Sequence, residues 1–215
     1  MLPVRPPPNF GPVHGVAGVY RSSTPKILPL ADRARLVETL GLRTVICAAA
    51  EIPRLEWPPE ILSVRLPIYK PFLTRGQWRI WRALLAAAER RPMLVHCQVG
   101  AERTGILCAH AQIVAGVDPR RVKMDLDRFG EGFWLRGRGH GEDRDTLWAS
   151  LDALRRTGDV LPDAVVESML RGCGKSLVGG DVEATIAVLL GGQTTSEPRW
   201  RHELQLEEAF RRGRR

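Results

Sequence analysis

The chain has 215 residues, 44% of them hydrophobic and 26% charged, which is the balance of a globular protein with a core to bury. That balance excludes collagen-like, wholly disordered and disulfide-scaffold classes. The formal net charge of +8 favours anionic partners (phosphorylated metabolites, phosphoproteins, nucleic acid or an anionic membrane) without choosing among them.

In chain order, residues 1–12 carry five prolines and are expected to be an extended arm, neither a helix nor a central strand. Short β-like runs follow at 17–21, 42–48, 61–66 and 93–97, the last continuously apolar as buried parallel strands are. Helices are expected between them. Residues 30–40 end at Gly41, a C-terminal cap, and 77–90 space apolar residues by three and four. Residues 104–115 read as a buried apolar helix, and 119–129 as a shorter one capped by Asp118 with Pro119 at its first position. Alternating strands and helices predict a three-layer α/β/α domain with a mostly parallel central sheet over residues 1–130. Residues 131–215 read as a glycine-rich loop and a helical C-terminal extension, with helices near 144–156, 162–171, 181–190 and 199–211.

Cys47, Cys97, Cys108 and Cys173 form no CxxC pair, so neither a cysteine-built zinc site nor a disulfide framework is expected. No run of about 18 uncharged apolar residues is present, and the N-terminus lacks the apolar stretch of a signal peptide. A cytoplasmic protein without a membrane span is the expectation. His140 lacks partner ligands, and GCGKS at 172–176 lacks the first Walker glycine, Met169 standing there. No cofactor, metal or nucleic-acid partner is therefore expected.

The chemistry concentrates in residues 95–105, VHCQVGAERTG. A cysteine ends an apolar strand, and an arginine follows six positions later where a helix begins. The intervening residues Gln98, Val99, Gly100, Ala101 and Glu102 can turn their backbone N–H groups inward as an anion nest. The start of the helix adds its positive end, and Arg103 can grip two oxygens of a phosphoryl group. Cys97 lies at the base of that cradle, whose positive surroundings favour the thiolate. Such a thiolate is set up for in-line attack and a phosphocysteine intermediate. Thr104 can donate to the sulfur and assist its departure, and His96 can orient the loop. Gly100 and Gly105 allow positive φ or close backbone approach. Cys47, Cys108 and Cys173 read as inert buried thiols.

These residues match HCxxGxxR[ST]G, so the chain resembles the cysteine-dependent protein tyrosine phosphatase superfamily. Residues 6–25 (PPPNFGPVHGVAGVYRSSTP), 38–51 (ETLGLRTVICAAAE) and Lys70-Pro71-Phe72 are similar to the atypical dual-specificity phosphatases first described in plants and fungi. The resemblance spans about residues 6–130. It implies Cys97 as nucleophile, Arg103 as phosphate clamp, no metal, and phosphotyrosine or inositol pyrophosphate substrates. Partners would be a phosphorylated protein or a polyphosphorylated small molecule.

The sequence departs from that pattern where the proton donor belongs. Residues 61–88 contain no Asp or Glu, and the aligned position falls near Gln77. General acid catalysis contributes about 10²–10⁴-fold, so the gap disfavours basic leaving groups. A pyrophosphate substrate, weak activity or a phosphate-binding pseudophosphatase is consistent with it. Glu102 is the candidate replacement acid, with an outward-facing brace as its plainer role. Asp125 and Asp127 read as solvated helix positions, and Glu142, Asp143 and Asp145 fall in or after the glycine-rich loop. The same acid-free stretch holds Arg65, Lys70, Arg75, Arg79 and Arg82. Lys70 and Arg75 are the better rim candidates, because Arg79 and Arg82 suit a solvated helix face. Arg21 reads as a structural pairing at the base of the site, and Trp78 and Trp81 as core.

Overall fold

Buried strands β3 (Thr44–Cys47) and β5 (Met93–His96) form the middle of the sheet, and every residue in both is buried. This is a computed structural model, and it describes residues 5–68, 72–130 and 141–160. The remaining strands are β1 (Gly11–Pro12), β2 (Val19–Ser22) and β4 (Leu62–Arg65). The order is β1-β2-β5-β3-β4, parallel except for β1 against β2. Pro12 sits in that two-residue edge strand, where a missing donor costs least.

Strand residues alternate between two cores. Val45 and Leu94 face one side and meet Leu36 and Val37 of α1 (Leu30–Leu40). Ile46, Met93 and Val95 face the other, with Trp78 and Trp81 of α2 (Arg75–Ala86) and Leu107 of α3 (Glu102–Val114). The sheet is thus covered on both faces, as expected. Gly41 ends α1 at φ 61°, its N–H returning to the Val37 and Glu38 carbonyls. Helix α2 begins two residues earlier than its periodicity suggested, because Thr74 and Gln77 form a reciprocal capping box. It ends at Ala86, and a tight turn over Ala88–Arg90 leads into β5.

Helix α3 is apolar nearly all round because the sheet, α2, α4 (Pro119–Gly130) and α5 (Gly141–Thr157) surround it. Asp118 accepts from the Arg120 N–H at 2.7 Å, so the expected cap is in place. Gly105 lets α4 approach closely, since a Cβ there would stand 3.1 Å from Leu126 Cδ2. Helix α5 joins the main core through Leu147, Leu151 and Leu154. The helices expected near 162–171, 181–190 and 199–211, with Cys173 and GCGKS, lie outside the described residues, as does most of the glycine-rich loop.

Because β2, β3, β4 and β5 run parallel, their carboxyl ends share one edge of the sheet. The β5–α3 loop emerges at the middle of that edge, where open α/β sheets bind ligands.

Candidate active site

Cys97 follows β5 directly and is 4% exposed. The chain from Gln98 to Ala101 then arches into the start of α3, and its carbonyls are tied outward. Gln98 O accepts from the Thr24 N–H at 3.3 Å and Val99 O from Asn9 Nδ2 at 2.9 Å. Arg21 Nη2 donates to Gly100 O at 2.7 Å and reaches Ala101 O at 3.5 Å. In a trans peptide the carbonyl and the next N–H point in opposite directions. Four outward carbonyls therefore turn the amides of residues 99–102 toward the concave side, and the Gly100 N–H indeed donates to Cys97 Sγ at 3.2 Å. Ala101, the N-cap of α3, supplies no side-chain cap, so the first amides of α3 are open to an anion.

Gly100 is required here. Its φ is +79°, and a Cβ would lie 2.4 Å from both the Ser22 carbonyl carbon and the Ser23 nitrogen. The loop is clamped against the end of β2, and the arm is clamped on it through Asn9, itself at φ 56°.

Arg21 is 3% exposed, its guanidinium carbon 3.8 Å from the centre of the Phe129 ring. Burial lowers its pKa, and the groups around it, Cys108, Cys97 and Asp125, oppose that shift. The expected pairing at the base of the site is thus a clamp on loop carbonyls. His96 is buried beneath the loop, and burial pushes its pKa down to about 4, so it is neutral at physiological pH. Cys47 and Cys108 are buried free thiols pushed up to about 11 by burial, in keeping with inert cysteines.

The other anticipated residues are placed as follows. Arg103 and Glu102 both lie in the first turn of α3, each half-buried. Arg103 Nη1 is hydrogen-bonded to Glu51 Oε1. Thr104 is fully buried, and its Oγ1 has no hydrogen-bond partner. Arg75 opens α2 and lies 3.7 Å from Asp159 Oδ2. Lys70 is outside the described residues.

Gln77 is committed to structure. Besides the capping box, its Nε2 donates to Pro67 O at 2.6 Å, and the side chain is 7% exposed. Arg79 and Arg82 are exposed on α2. Arg65 binds the carbonyls of Ala50 and Ile52, which steadies the loop carrying Glu51. Asp127 pairs with Lys123 on the solvated face of α4, as expected, and Asp145 is exposed on α5. Asp125 corrects the sequence reading: it is 9% exposed and accepts from Gln112 Nε2 at 2.7 Å. The side chains of Glu142 and Asp143, and His140, are outside the described residues.

Two contributors escaped the sequence reading. Asn9 stood within the quoted arm motif, yet only the fold reveals that it reaches Val99. Glu51 lies 52 residues from Arg103, too far for a local pattern to connect them. Partial burial works to raise the Glu51 pKa, but the hydrogen bond and charge of Arg103, together with a backbone hydrogen bond, hold the carboxyl below its ordinary value. Among the described residues no cluster of three or more His, Cys, Asp or Glu side chains suits a metal ion. No helix there is long and apolar enough to cross a membrane.

Residues 58–128, containing this loop, match the model of the tyrosine phosphatase family. Over that segment the chain is similar to phosphatases of the cysteine-dependent protein-tyrosine-phosphatase type. A curated relative, inositol diphosphatase DSP1 of Oryza sativa subsp. japonica, is 37% identical over 111 residues, covering 46% of this chain and 47% of its own. The chain thus spans about half the length of that relative. Two solved structures share the fold of this domain at a TM-score of 0.50. The core catalytic domain of the PP-IP phosphatase SIW14 from S. cerevisiae, in complex with citrate, is 20% identical, covering 72% of this chain and 95% of its own. A second structure of the Siw14 catalytic core is 19% identical, covering 80% and 95% respectively.

Proposed function

We propose that this chain is a cysteine-dependent phosphatase whose preferred substrate is a phosphoanhydride, an inositol pyrophosphate, in preference to a phosphotyrosine ester. The observation that supports this reading is a loop whose carbonyls are tied outward and whose Gly100 N–H faces Cys97, combined with a buried capping glutamine where the acid is expected. The Cys97 thiolate attacks phosphorus, the S–P bond forms, and the bond to the bridging oxygen breaks with its electron pair leaving on the inositol phosphate. Water then attacks the phosphocysteine and returns the thiolate and inorganic phosphate. The loop amides and Arg103 would hold the three equatorial oxygens throughout, each donor being worth about 10²–10³-fold in comparable sites.

The leaving group decides the substrate. A phosphate with a second pKa of about 6 departs without a proton, whereas a tyrosine phenolate of pKa about 10 needs one. Glu51 is unsuited to supply it, because the guanidinium that holds its pKa down keeps it ionised. Gln77 has no proton of the required acidity. Glu102 is the carboxylate within the signature itself, and it is the candidate donor should phosphotyrosine be turned over. The named activity of the rice relative supports the anhydride reading.

The test is phosphate release from an inositol pyrophosphate, a phosphotyrosine peptide and a phosphoserine peptide, with Cys97→Ser as control. Turnover of the anhydride well above the peptides, abolished in Cys97→Ser, is expected. Efficient phosphotyrosine hydrolysis, lost in Glu102→Gln, would contradict the reading. Phosphate binding without turnover of any substrate would leave a pseudophosphatase acting as an interaction module.

A further inference from the structure

Behind the catalytic loop lies a second cleft of about 300 Å³, walled by the arm, α3 and α4. No residue of 97–104 lines it. Its back wall is Arg21, and its rim includes Arg121, Arg128 and Asp125, with the rings of Phe10 and Phe129. Asp125 is already committed: Oδ2 accepts from Gln112, and Oδ1 lies 3.6 Å from Arg121. That leaves three guanidinium groups against one carboxylate among these lining side chains. Arg21 Nε is fully buried without a hydrogen-bond partner, although the side chain as a whole is only 3% exposed. An unpaired donor on a buried cation is costly, and a cationic surplus between aromatic rings is complementary to a flat anion.

We propose that this cleft is a second, non-catalytic site for a small aromatic oxyanion, a carboxylate or phosphate carried on a planar ring. The oxyanion head pairs with the Arg121 and Arg128 guanidinium groups, and the ring lies along Phe10 and Phe129. Arg21 links the two sites. It lines this cleft and also holds the Gly100 and Ala101 carbonyls, so an occupant acts on the cradle without entering it. Coupling of this kind needs one element that both sites bias, and Arg21 is that element.

Binding is measured first on Cys97→Ser, where turnover plays no part. Benzoate and adenosine 5′-monophosphate are titrated separately, and backbone amide shifts are followed. Expected are saturable shifts centred on Gln112 and residues 121–129, with an affinity at least tenfold weaker in Arg128→Gln, whose exposed side chain can change without loss of the fold. The carboxylate and phosphate arms decide which head group is preferred. Shifts confined to residues 98–104, no saturable shift with either probe, or unchanged affinity in Arg128→Gln would overturn the site. On wild-type protein, benzoate then alters kcat for an aryl phosphate in a pattern that excess substrate does not abolish, and Arg128→Gln removes that effect while basal turnover persists. Purely competitive inhibition would overturn the coupling.

Discussion

Two loops reach the same edge of the sheet, and they are built to different degrees. The loop after β5 has each of its four carbonyls from Gln98 to Ala101 met by a donor, so its amides converge on one point beside Cys97. The segment between β4 and α2, where a proton donor would be expected, spends its aligned side chain on capping a helix and holding Pro67. The half of the site proposed to bind and attack a phosphoryl group is therefore held in place by its neighbours, while residues 61–88 offer no carboxylate to help a basic leaving group depart. A fold can keep the electrostatic machinery and drop the acid when the substrate's leaving group is already a good one.

The largest effect should come from the attacking group itself. Cys97→Ser is expected to lower turnover by about 10⁴-fold or more, with phosphate binding retained, as removal of a nucleophile does elsewhere. Retained turnover would place the nucleophile outside this loop. Gly100→Ala probes the cradle apart from the thiol. A methyl group would press on the backbone of Ser22 and Ser23, so the loop must rearrange, and a loss of about 10²–10³-fold is expected. An unchanged rate would show that the amides need no such convergence.

The next prediction concerns pH. His96 and His110 are both buried, and burial depresses each to about 4. The unfolded chain, at about 6.5, binds more protons between those values, so stability falls as pH drops from about 6.5 toward 4. The slope is on the order of 1.4 kcal/mol per pH unit for each histidine. Denaturant midpoints measured from pH 7 to 5 should show this, and His110→Asn should flatten the curve. A flat wild-type profile would count against the neutral buried histidines. The smallest effect belongs to the other loop. Gln77→Ala should cost about 1–2 kcal/mol of stability through the lost cap, while leaving kcat/KM within about twofold. A large kinetic loss would mean that Gln77 touches substrate.

Much of this could be read in the chain because its causes are local. The apolar runs at 42–48 and 93–97, the Gly41 cap and the Asp118–Pro119 start depend on near neighbours, and each formed where expected. The signature at 95–105 was legible for the same reason, since one strand end, one loop and one helix start carry its cysteine, glycines and arginine. Arg21 holding Gly100, Asn9 holding Val99 and Glu51 holding Arg103 were not legible as contacts, because each joins segments that only the sheet order brings together. Asp125 misled because Asp127, two positions on, is solvated, while Asp125 itself accepts a hydrogen bond from Gln112 on α3. The early start of α2 depended on a glutamine whose value as a cap appears only once Thr74 is seen to begin the helix.

The most direct test of the central claim is the dependence of kcat/KM on leaving-group basicity, using aryl phosphates whose phenols span pKa values from about 6 to about 10. Without a general acid the rate should fall steadily across the series, to about 10²–10⁴-fold less at the basic end. A flat profile would mean that a proton is delivered in the transition state, and it would contradict the account of Gln77 and the anhydride preference together.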